Sequence, residues 1–487
     1  MRTYAILALA AAGATGCMPG PDYVRPEVQT PAAWRIDYTK ATEVANTKWW
    51  EQFGDPVLNE LVDSALRENL DVRIAAARVD QFVGALTATR SQLYPQIGYG
   101  ADANRVQASR VGQPPLPPGA DSYFSLYQAS LGAAWQLDLF GRVRRLSEAS
   151  QAQVYASEQA RRGVALSLVS SVTTSYIFLR ALDRQLEIAQ ATASNFNETA
   201  RIFDLRFKAG VVAKTELMQV TSQAQQAMAA IPAFEQAIAA QENLISILLG
   251  RNPGPIPRGK PLEQLVAPLI PADLPSVLLQ RRPDILQAEQ NLVAANANVG
   301  ATKALYYPNI SITGALGSVS TALGDLLTDP ATTMLLGAGV SGPLFTFGGI
   351  KGQVDAAEAG NRQAELIYRR TVLNAFREAN DALTGSQKKV QEVAMQQKRV
   401  DSLREFARLS TLRFDKGVAG YLDVLVAENE LFAADLASVR LQADRYAQVV
   451  NVYQAMGGGW VDVAAALTPA TPRPPAIDDP NPRPPLF

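Results

Sequence analysis

The sequence predicts a mainly α-helical fold with a transmembrane β portion, built from two copies of one unit. Three patterns support this prediction. The run from Arg142 to Lys208 has no proline and a single glycine, so nothing interrupts a helix that would be about 100 Å long. Four shorter segments alternate apolar and polar residues with the period of a β-strand. The features of the first half of the chain recur in the second half at a nearly constant distance.

The second half of the long run carries a seam whose positions step by three and four residues. Helices that pack along one another in coiled coils have this spacing. The run ends at Gly210, where a glycine suits a left-handed helix stop, and a second seam follows it. The seam positions are Leu179, Leu182, Leu186, Ala189, Ala193, Phe196, Ala200, Phe203 and Phe207, then Leu217, Val220, Ala224, Ala227, Ile231, Phe234, Ile238, Gln241, Ile245 and Leu248. We therefore predict an antiparallel pair of long helices joined by a tight turn.

Strand-like alternation begins at Ile97, directly after Tyr94-Pro95 ends a helix, and returns over residues 123–138. Apolar side chains fall on one face, polar side chains fall on the other, and aromatic residues lie near the ends. A lipid-facing strand beside a wet lumen has this pattern, and so does a hairpin of a soluble sandwich. The very long helices and the N-terminal signal described below favour the membrane strand.

The second half repeats these features in the same order. Tyr307-Pro308 corresponds to Tyr94-Pro95 with an offset of 213 in the numbering, and alternation returns over 310–317 and 334–341. Three glycines recur with an offset of 207: Gly141, Gly210 and Gly250 correspond to Gly348, Gly417 and Gly457. The repeated unit is a short helix, two strands, a very long helix, a tight turn and a returning helix. The difference of six between the two offsets falls in the loop between the strands.

This duplication sets the domain boundaries. They are a signal peptide (1–16), a lipidated extended arm (17–55), the first repeat (56–250), an equatorial connector (251–275), the second repeat (276–460) and a Pro-rich tail (461–487). Asp55-Pro56 starts a helix that we predict to run to about Leu93. Its counterpart runs from about Ser276 to Tyr306. Pro232 predicts a kink or a break in the first returning helix.

The N-terminus has the layout of a bacterial secretory signal with a lipid-modified cysteine. Arg2 precedes a short apolar run, and small residues lead into Cys17. Ala14 stands where a bulkier aliphatic residue is usual, and an ordinary signal peptide with an incidental cysteine is the alternative. Met18 follows the cysteine, so nothing suggests retention at the inner membrane. A covalent lipid on Cys17 is the only non-protein group we expect.

Composition argues against other classes of protein. The formal net charge of −1 gives no electrostatic reason for nucleic-acid binding. The chain has no histidine and one cysteine, so we expect no catalytic residue, no metal site and no enzyme. A periplasmic coiled-coil adaptor or tether is a rival interpretation. Such a protein would have one hairpin flanked by compact β domains, whereas this chain has two hairpins, each preceded by strands.

Four strands cannot close a barrel, and open edges in a bilayer leave unpaired backbone groups. Three chains would supply twelve strands, which lies in the range of outer-membrane barrels. We therefore predict a homotrimer with a twelve-stranded β-barrel, four strands per chain, continuous with a long α-helical barrel that extends about 100 Å away from the membrane. Such an assembly is a conduit.

Several short segments carry a resemblance to a known family. They are Gly20-Pro21-Asp22-Tyr23-Val24-Arg25-Pro26, Asp273-Leu274-Pro275-Ser276-Val277-Leu278-Leu279, Arg281-Arg282-Pro283-Asp284-Ile285, Ala294-Ala295-Asn296-Ala297-Asn298 and Tyr307-Pro308-Asn309-Ile310. With the duplication, they resemble the TolC-like outer-membrane factors, in the lipoprotein branch that serves tripartite multidrug efflux pumps. The resemblance implies a trimeric channel in the cell outer membrane that reaches into the periplasm. It also implies a periplasmic adaptor (membrane fusion) protein and an inner-membrane RND-type transporter as partners, with drugs and other small toxic compounds as cargo. An exit duct for type I protein secretion stays open as an alternative, and so does one for metal export, although the absence of histidine and the seven methionines give no hint of a metal path.

The resemblance also assigns sites. The turns Gly210-Val211 and Gly417-Val418 look like the family's adaptor-contacting turns. In the family pattern, two aspartates shortly after the second turn form a ring at the periplasmic constriction. Asp423 matches the first position, while Val426 departs from the second and halves the ring charge. Alternatively, Asp423 is a solvated acid that is favourable near a helix N-terminus without any function. On Cys17 the resemblance implies a thioether diacylglycerol and an N-acyl chain (palmitate).

Overall fold

The computed structural model describes residues 18–28, 30–31, 48–109, 119, 121–270 and 278–458. Within these ranges lie eight α-helices and four strands. The helices are α1 (Pro56–Glu68), α2 (Leu70–Ser91), α3 (Arg142–Lys208), α4 (Lys214–Leu248), α5 (Leu278–Arg281), α6 (Pro283–Lys303), α7 (Gly349–Asp415) and α8 (Tyr421–Ala455). The strands are β1 (Gln96–Gln107), β2 (Tyr123–Leu137), β3 (Asn309–Ser320) and β4 (Thr332–Ser341). This order repeats once, as the sequence predicts.

The duplication is reproduced residue by residue in the long helices. Helices α3 and α7 each have 67 residues, and α4 and α8 each have 35. The starts of both pairs, Arg142 and Gly349 and then Lys214 and Tyr421, keep the offset of 207 seen in the glycines. Neither hairpin therefore has an insertion relative to the other.

The four long helices all end in the same way, at Gly210, Gly250, Gly417 and Gly457. Each glycine has a positive φ, between +70° and +83°, which costs an L-residue about 1–2 kcal/mol. At the first turn, Val211 donates its N–H to the Arg206 carbonyl at 2.9 Å, and Gly210 donates to the Phe207 carbonyl at 2.9 Å. These paired bonds form a Schellman motif, which satisfies the last helical carbonyls. The predicted helix stop at Gly210 is confirmed.

The strands form one antiparallel sheet in the order β1-β2-β3-β4. The pairings within the two repeats are equivalent. Gly98 lies opposite Gly132 in the first repeat, and the residues that correspond to them by the offsets of 213 and 207, Ser311 and Gly339, lie opposite each other in the second. The pairing between the repeats joins β2 to β3, with Leu137 opposite Ile310. Both outer strands, β1 and β4, keep an open edge in the chain.

The described residues fall into two compact units. One contains residues up to 26 with 80–156 and 288–368, and the other contains 27–79, 157–287 and those from 369 onward. The second unit holds the larger core, centred on Trp49 and Phe53. Trp49 stacks on Tyr453 with ring centroids 4.9 Å apart, and Phe53 meets Tyr446 edge to face at 5.8 Å. The Tyr446 hydroxyl donates to the Leu265 carbonyl at 2.6 Å, so the connector is fastened to α8.

The start of α1 also anchors this core. Asp55 is fully buried and caps the helix by accepting from the Val57 N–H at 2.9 Å. The same carboxylate accepts from the Tyr176 hydroxyl at 2.8 Å and from the Lys260 N–H at 2.9 Å. A buried carboxylate requires such partners, so these bonds link α1, α3 and the connector.

Two predicted helices are each divided into two helices by a break. The prediction of one helix from Pro56 to about Leu93 is wrong, because Asn69 leaves the helical conformation at ψ 132°. Its side chain then accepts from the Val72 N–H at 3.1 Å, which caps α2 as a new helix. In the second repeat, Arg282 separates α5 from α6 just before Pro283, a residue that favours the first helical position.

Pro232 lies inside α4, which runs unbroken from Lys214 to Leu248, so the predicted alternative of a helix break is wrong. Most predicted seam positions are buried or partly buried, whereas Phe207 is exposed.

By length and composition, α3 is the one helix in the described part of the chain that could cross a membrane, with a window of mean hydropathy 1.4. That window is 67% buried, as in the core helix of a protein outside the membrane.

Candidate functional site

The four-stranded sheet has one strongly apolar face. Pairing places Tyr99 opposite Leu131 and Leu131 opposite Leu316, so apolar residues meet across strands. The large exposed side chains on this face are Ile97, Tyr99, Leu131, Trp135, Ile312, Leu316, Met334, Leu336 and Val340. A continuous exposed apolar face is expected where a sheet contacts lipid. The predicted outward pattern is thus present in all four strands.

The opposite face of the sheet is largely polar or small. Its residues include Gly98, Gly100, Asp102, Gln128, Ser130, Gln136, Ser311, Thr313 and Gly339. Asp102 lies opposite Gln128, and the Gln136 amide donates to the Asn309 side chain at 2.8 Å. Polar side chains of this kind suit a water-filled lumen.

Aromatic residues cluster where the strands join the helices. Trp135 donates its indole N–H to the Leu93 carbonyl at 2.9 Å. Phe140 stacks on Tyr307 with ring centroids 4.8 Å apart and planes 19° from parallel. Tryptophan and tyrosine, whose rings have one polar edge, are enriched at membrane–water interfaces, so Trp135 and Tyr307 mark one boundary of the apolar face.

The two predicted adaptor-contacting turns have the same geometry. Gly210 and Gly417 have φ of +74° and +71°. The valine that follows each glycine is exposed: Val211 retains 72% of its accessible surface and Val418 retains 70%. Each turn therefore presents a bare apolar side chain.

The two predicted constriction residues lie on the first turns of α8. Asp423 is exposed, and its backbone N–H donates to the Gly420 carbonyl at 3.3 Å. Val426 follows one helical turn later on the same face and is 44% exposed. In the single chain both side chains therefore face away from the core.

Sequence reasoning missed an aromatic cluster beside these turns. Tyr421 packs against Phe203 and Phe414, with ring centroids 4.5 and 5.0 Å apart. The Arg206 guanidinium carbon lies 5.7 Å from the Phe203 ring centroid and 5.8 Å from that of Phe414, within the range of a cation–π contact. Burial raises the pKa of the Tyr421 hydroxyl to about 12. The cluster joins the first hairpin to the second. Phe203 belongs to the predicted seam, but nothing in the sequence showed that a partner from the other repeat covers it.

The described part of the N-terminal arm follows α6. Asn296 donates its side-chain N–H to the Pro21 carbonyl at 3.0 Å. Buried Arg145 bonds the Asp22 carboxylate at 2.8 Å, and Arg25 bonds Glu289 at 2.7 Å. Although burial opposes the charge of Arg145, its hydrogen bonds to Asp22 and Glu148 hold its pKa above the usual value. The arm is thus fastened by several polar contacts.

The arm brings its first described residue to the base of the sheet. Met18 lies against Gly141, where an added Cβ would be 2.6 Å from the methionine Cγ. Gly141 comes four residues after β2 ends at Leu137. The predicted lipid site, Cys17, lies outside the described residues but directly precedes Met18.

A family comparison decides the identity. The family model for outer membrane efflux proteins matches residues 61–251 and 274–458. The chain belongs to the outer membrane efflux protein family. It is therefore an outer-membrane exit duct, and the mainly α-helical fold with a transmembrane β portion is confirmed. This family and this fold are those of channel proteins.

Individual outer membrane efflux proteins resemble the chain over nearly its full length. The solvent efflux pump outer membrane protein SrpC of Pseudomonas putida is 33% identical over 453 residues, which is 91% of this chain and 96% of that protein. SilC of Salmonella typhimurium, described as a probable outer membrane lipoprotein, is 30% identical over 453 residues, with 92% and 96% covered. The open state of the Neisseria gonorrhoeae MtrE outer membrane channel superposes with a TM-score of 0.82 at 28% identity, covering 91% of this chain and 99% of MtrE.

Proposed function

We propose that three copies of this chain assemble into one passive duct across the outer membrane and the periplasm. The sheet carries this proposal, because its four strands end in open edges at β1 and β4 and one face is apolar. Unpaired backbone groups inside a bilayer cost several kcal/mol each, so the edges require partners from other copies. Three copies supply twelve strands, a number within the range of outer-membrane barrels.

The long helices form the periplasmic wall of this duct. At about 1.5 Å per residue, α3 and α7 each rise about 100 Å between a strand and a hairpin turn. The turns at Gly210-Val211 and Gly417-Val418 dock a periplasmic adaptor, which connects the duct to an inner-membrane RND-type transporter. The exposed valines at both turns support this assignment. Three copies of Asp423, with Val426 beside them, line the constriction.

Cys17 carries the lipid anchor in this arrangement. Because Met18 lies against Gly141 at the base of the sheet, acyl chains on the preceding residue would reach the bilayer that surrounds the strands. A single acyl chain gives only marginal membrane binding, so a thioether diacylglycerol with an N-acyl chain would hold the arm stably.

The cargo consists of drugs and other small toxic compounds. SrpC, one third identical to this chain, is described as part of a solvent efflux pump, which supports small apolar compounds as the class. The inner-membrane partner selects among them, since the duct itself is passive.

A single set of experiments tests this function. The purified lipidated protein should have the mass of a trimer by light scattering and should conduct ions in a planar bilayer. A deletion strain should become sensitive to drugs and solvents and regain resistance with the wild-type gene. It should not regain resistance with Val211→Asp/Val418→Asp, whereas the control Leu327→Asp, in the loop between β3 and β4, should restore it. A monomeric, freely soluble protein without conductance would contradict the proposal.

A further inference from the structure

The segment that follows β4, residues 342–347, has highly exposed apolar side chains. Leu344, Phe345 and Phe347 retain 92%, 86% and 100% of their accessible surface. At the offset of 207, their counterparts in the first repeat are Leu137, Asp138 and Phe140, of which Leu137 and Phe140 are partly buried. The same stretch of the repeat is thus covered in the first copy and exposed in the second.

The covering of the first copy comes from the start of the second repeat. Leu137 pairs with Ile310 of β3, and Phe140 stacks on Tyr307. At the offset of 213, the counterpart of Tyr307 in the first repeat is Tyr94, which is 52% exposed in the chain. Phe140 and Tyr307 therefore form an aromatic stack within the chain, whereas their counterparts, Phe347 and Tyr94, are both exposed.

We propose that Phe347 stacks on the partner's Tyr94 in the assembled trimer, as Phe140 stacks on Tyr307 within one chain. The inference rests on the proposed trimer and names the residues that meet in it. Applying the two offsets to the β2–β3 pairing also fixes the register between copies. Ala133 opposite Gly314 becomes Val340 opposite the partner's Ala101. Leu137 opposite Ile310 becomes Leu344 opposite the partner's Ile97.

The faces of the strands agree with this register. Val340 lies opposite Ile310, and Ala101 lies opposite Ala129, so both side chains are on the apolar face. A slip by one residue would place Val340 against a polar-face position of β1 and turn every side chain of one sheet the wrong way. The apolar face therefore continues across the junction between copies.

Two local features distinguish the exposed segment from its counterpart in the first repeat. Phe347 has φ of +48° and is the one non-glycine residue with a positive φ in the described ranges, so its backbone is strained in a way that the backbone of its counterpart Phe140 is not. In addition, Asp138 caps α3 by accepting from the N–H groups of Val143 and Arg144 at 3.0 and 2.9 Å. The second repeat has Phe345 at that position and so replaces a helix cap with an apolar side chain.

Disulfide trapping tests the register. Val340→Cys combined with Ala101→Cys should give a covalent ladder of dimers and trimers on oxidation in membranes. Val340→Cys with Ala103→Cys, a slip of two residues on the same face, is the matched control and should give at least tenfold less. Preferential cross-linking of the control pair, or no cross-linking of either pair in a protein that is trimeric by light scattering, would overturn the inference. Either result would leave the proposed duct intact.

Alanine variants test the stack. Phe347→Ala and Tyr94→Ala should each lower the temperature at which the detergent-solubilised trimer dissociates. The double variant should dissociate at a temperature no lower than that of the less stable single variant. Leu327→Ala removes another highly exposed side chain, from the loop between β3 and β4, and should leave that temperature unchanged. Additive losses from Phe347→Ala and Tyr94→Ala would show that the two rings do not meet.

Discussion

Asn69 and Arg282 make the same hydrogen bond in the two repeats. The Asn69 amide donates to the Leu248 carbonyl at 2.9 Å, and the Arg282 guanidinium donates to the Ala455 carbonyl at 2.9 Å. The two donors are related by the offset of 213 and the two acceptors by the offset of 207, as the duplication requires. Each bond fixes the break between two short helices onto the end of a returning helix.

The side chain that makes this hydrogen bond is neutral in the first repeat and charged in the second. Arg282 also bonds the Asp284 and Glu378 carboxylates at 2.6 and 2.7 Å. Burial opposes the charge of Arg282, but these two carboxylates hold its pKa above the usual value. Arg282→Ala should therefore lower the free energy of unfolding by about 2–3 kcal/mol and Asn69→Ala by about 1 kcal/mol, measured by urea unfolding. Arg282→Asn should fall between them. A larger loss for Asn69→Ala would contradict this account.

Gly250 and Gly210 offer a matched test of close packing. Both have a positive φ, +70° and +74°, so alanine costs about 1–2 kcal/mol at either position. A Cβ at Gly210 would meet nothing within 4 Å, whereas one at Gly250 would overlap the Glu68 carbonyl oxygen. We expect Gly250→Ala to lower the thermal unfolding midpoint much more than Gly210→Ala. Equal shifts would mean that only the backbone conformation matters.

The N-terminal arm can be displaced without altering its own residues. A Cβ added at Gly300 would lie 2.8 Å from the Pro19 carbonyl oxygen, while alanine is otherwise favourable inside a helix. Gly300→Ala should speed amide hydrogen exchange in residues 18–28 several-fold. Gly352→Ala, on α7 with open space around it, is the control and should leave exchange in the arm unchanged.

The constriction assignment predicts opposite effects at two neighbouring positions. Asp423→Asn removes three negative charges from the trimer and should reduce cation selectivity in planar-bilayer recordings. Val426→Asp adds three and should increase cation selectivity and sensitivity to block by divalent cations. Exposed Glu430, one turn further along α8, is the control for a charge change near the turn. Unchanged selectivity in both variants would make Asp423 an ordinary surface acid.

Glu428 should make stability depend on pH. Burial raises the pKa of this carboxyl above its ordinary value, so the folded state binds its proton more tightly than the unfolded state does. Stability then falls as the pH rises from the ordinary value through the raised one. Glu428→Gln should raise the unfolding midpoint at pH 7.5 and lose that advantage near pH 4. Exposed Glu430→Gln should show no such dependence, and a pH-independent gain at Glu428 would point to packing instead.

Periodicity and turn chemistry predicted most of the fold. The 3-4 seam and the left-handed stop at Gly210 located α3 and α4, and two constant offsets located their counterparts. These signals are local or repetitive, so they can be read from one sequence. Breaks such as Asn69 are harder to predict, because an asparagine favours a helix end only when a partner such as the Leu248 carbonyl is available.

The candidate site was predicted unevenly for the same reason. Gly210 and Gly417 were found because a turn has its own residue preferences. The cluster of Phe203, Phe414 and Tyr421 was missed, since it depends on contact between two hairpins that are far apart in sequence. Likewise, the role of Arg145 could not be predicted, because its partner Asp22 lies 123 residues away in the sequence.

The equal lengths of the paired helices limit how such a chain can evolve. Deleting one residue from α3 would turn everything beyond it by about 100° and shorten that strut by about 1.5 Å. The apolar seam of α3 beyond the deletion would then face water, and the turn at Gly210 would no longer be level with the turn at Gly417, where α7 ends. A change of length in one hairpin must therefore be matched in the other. Loops between strands carry no such coupling, and the difference of six between the two offsets is found there.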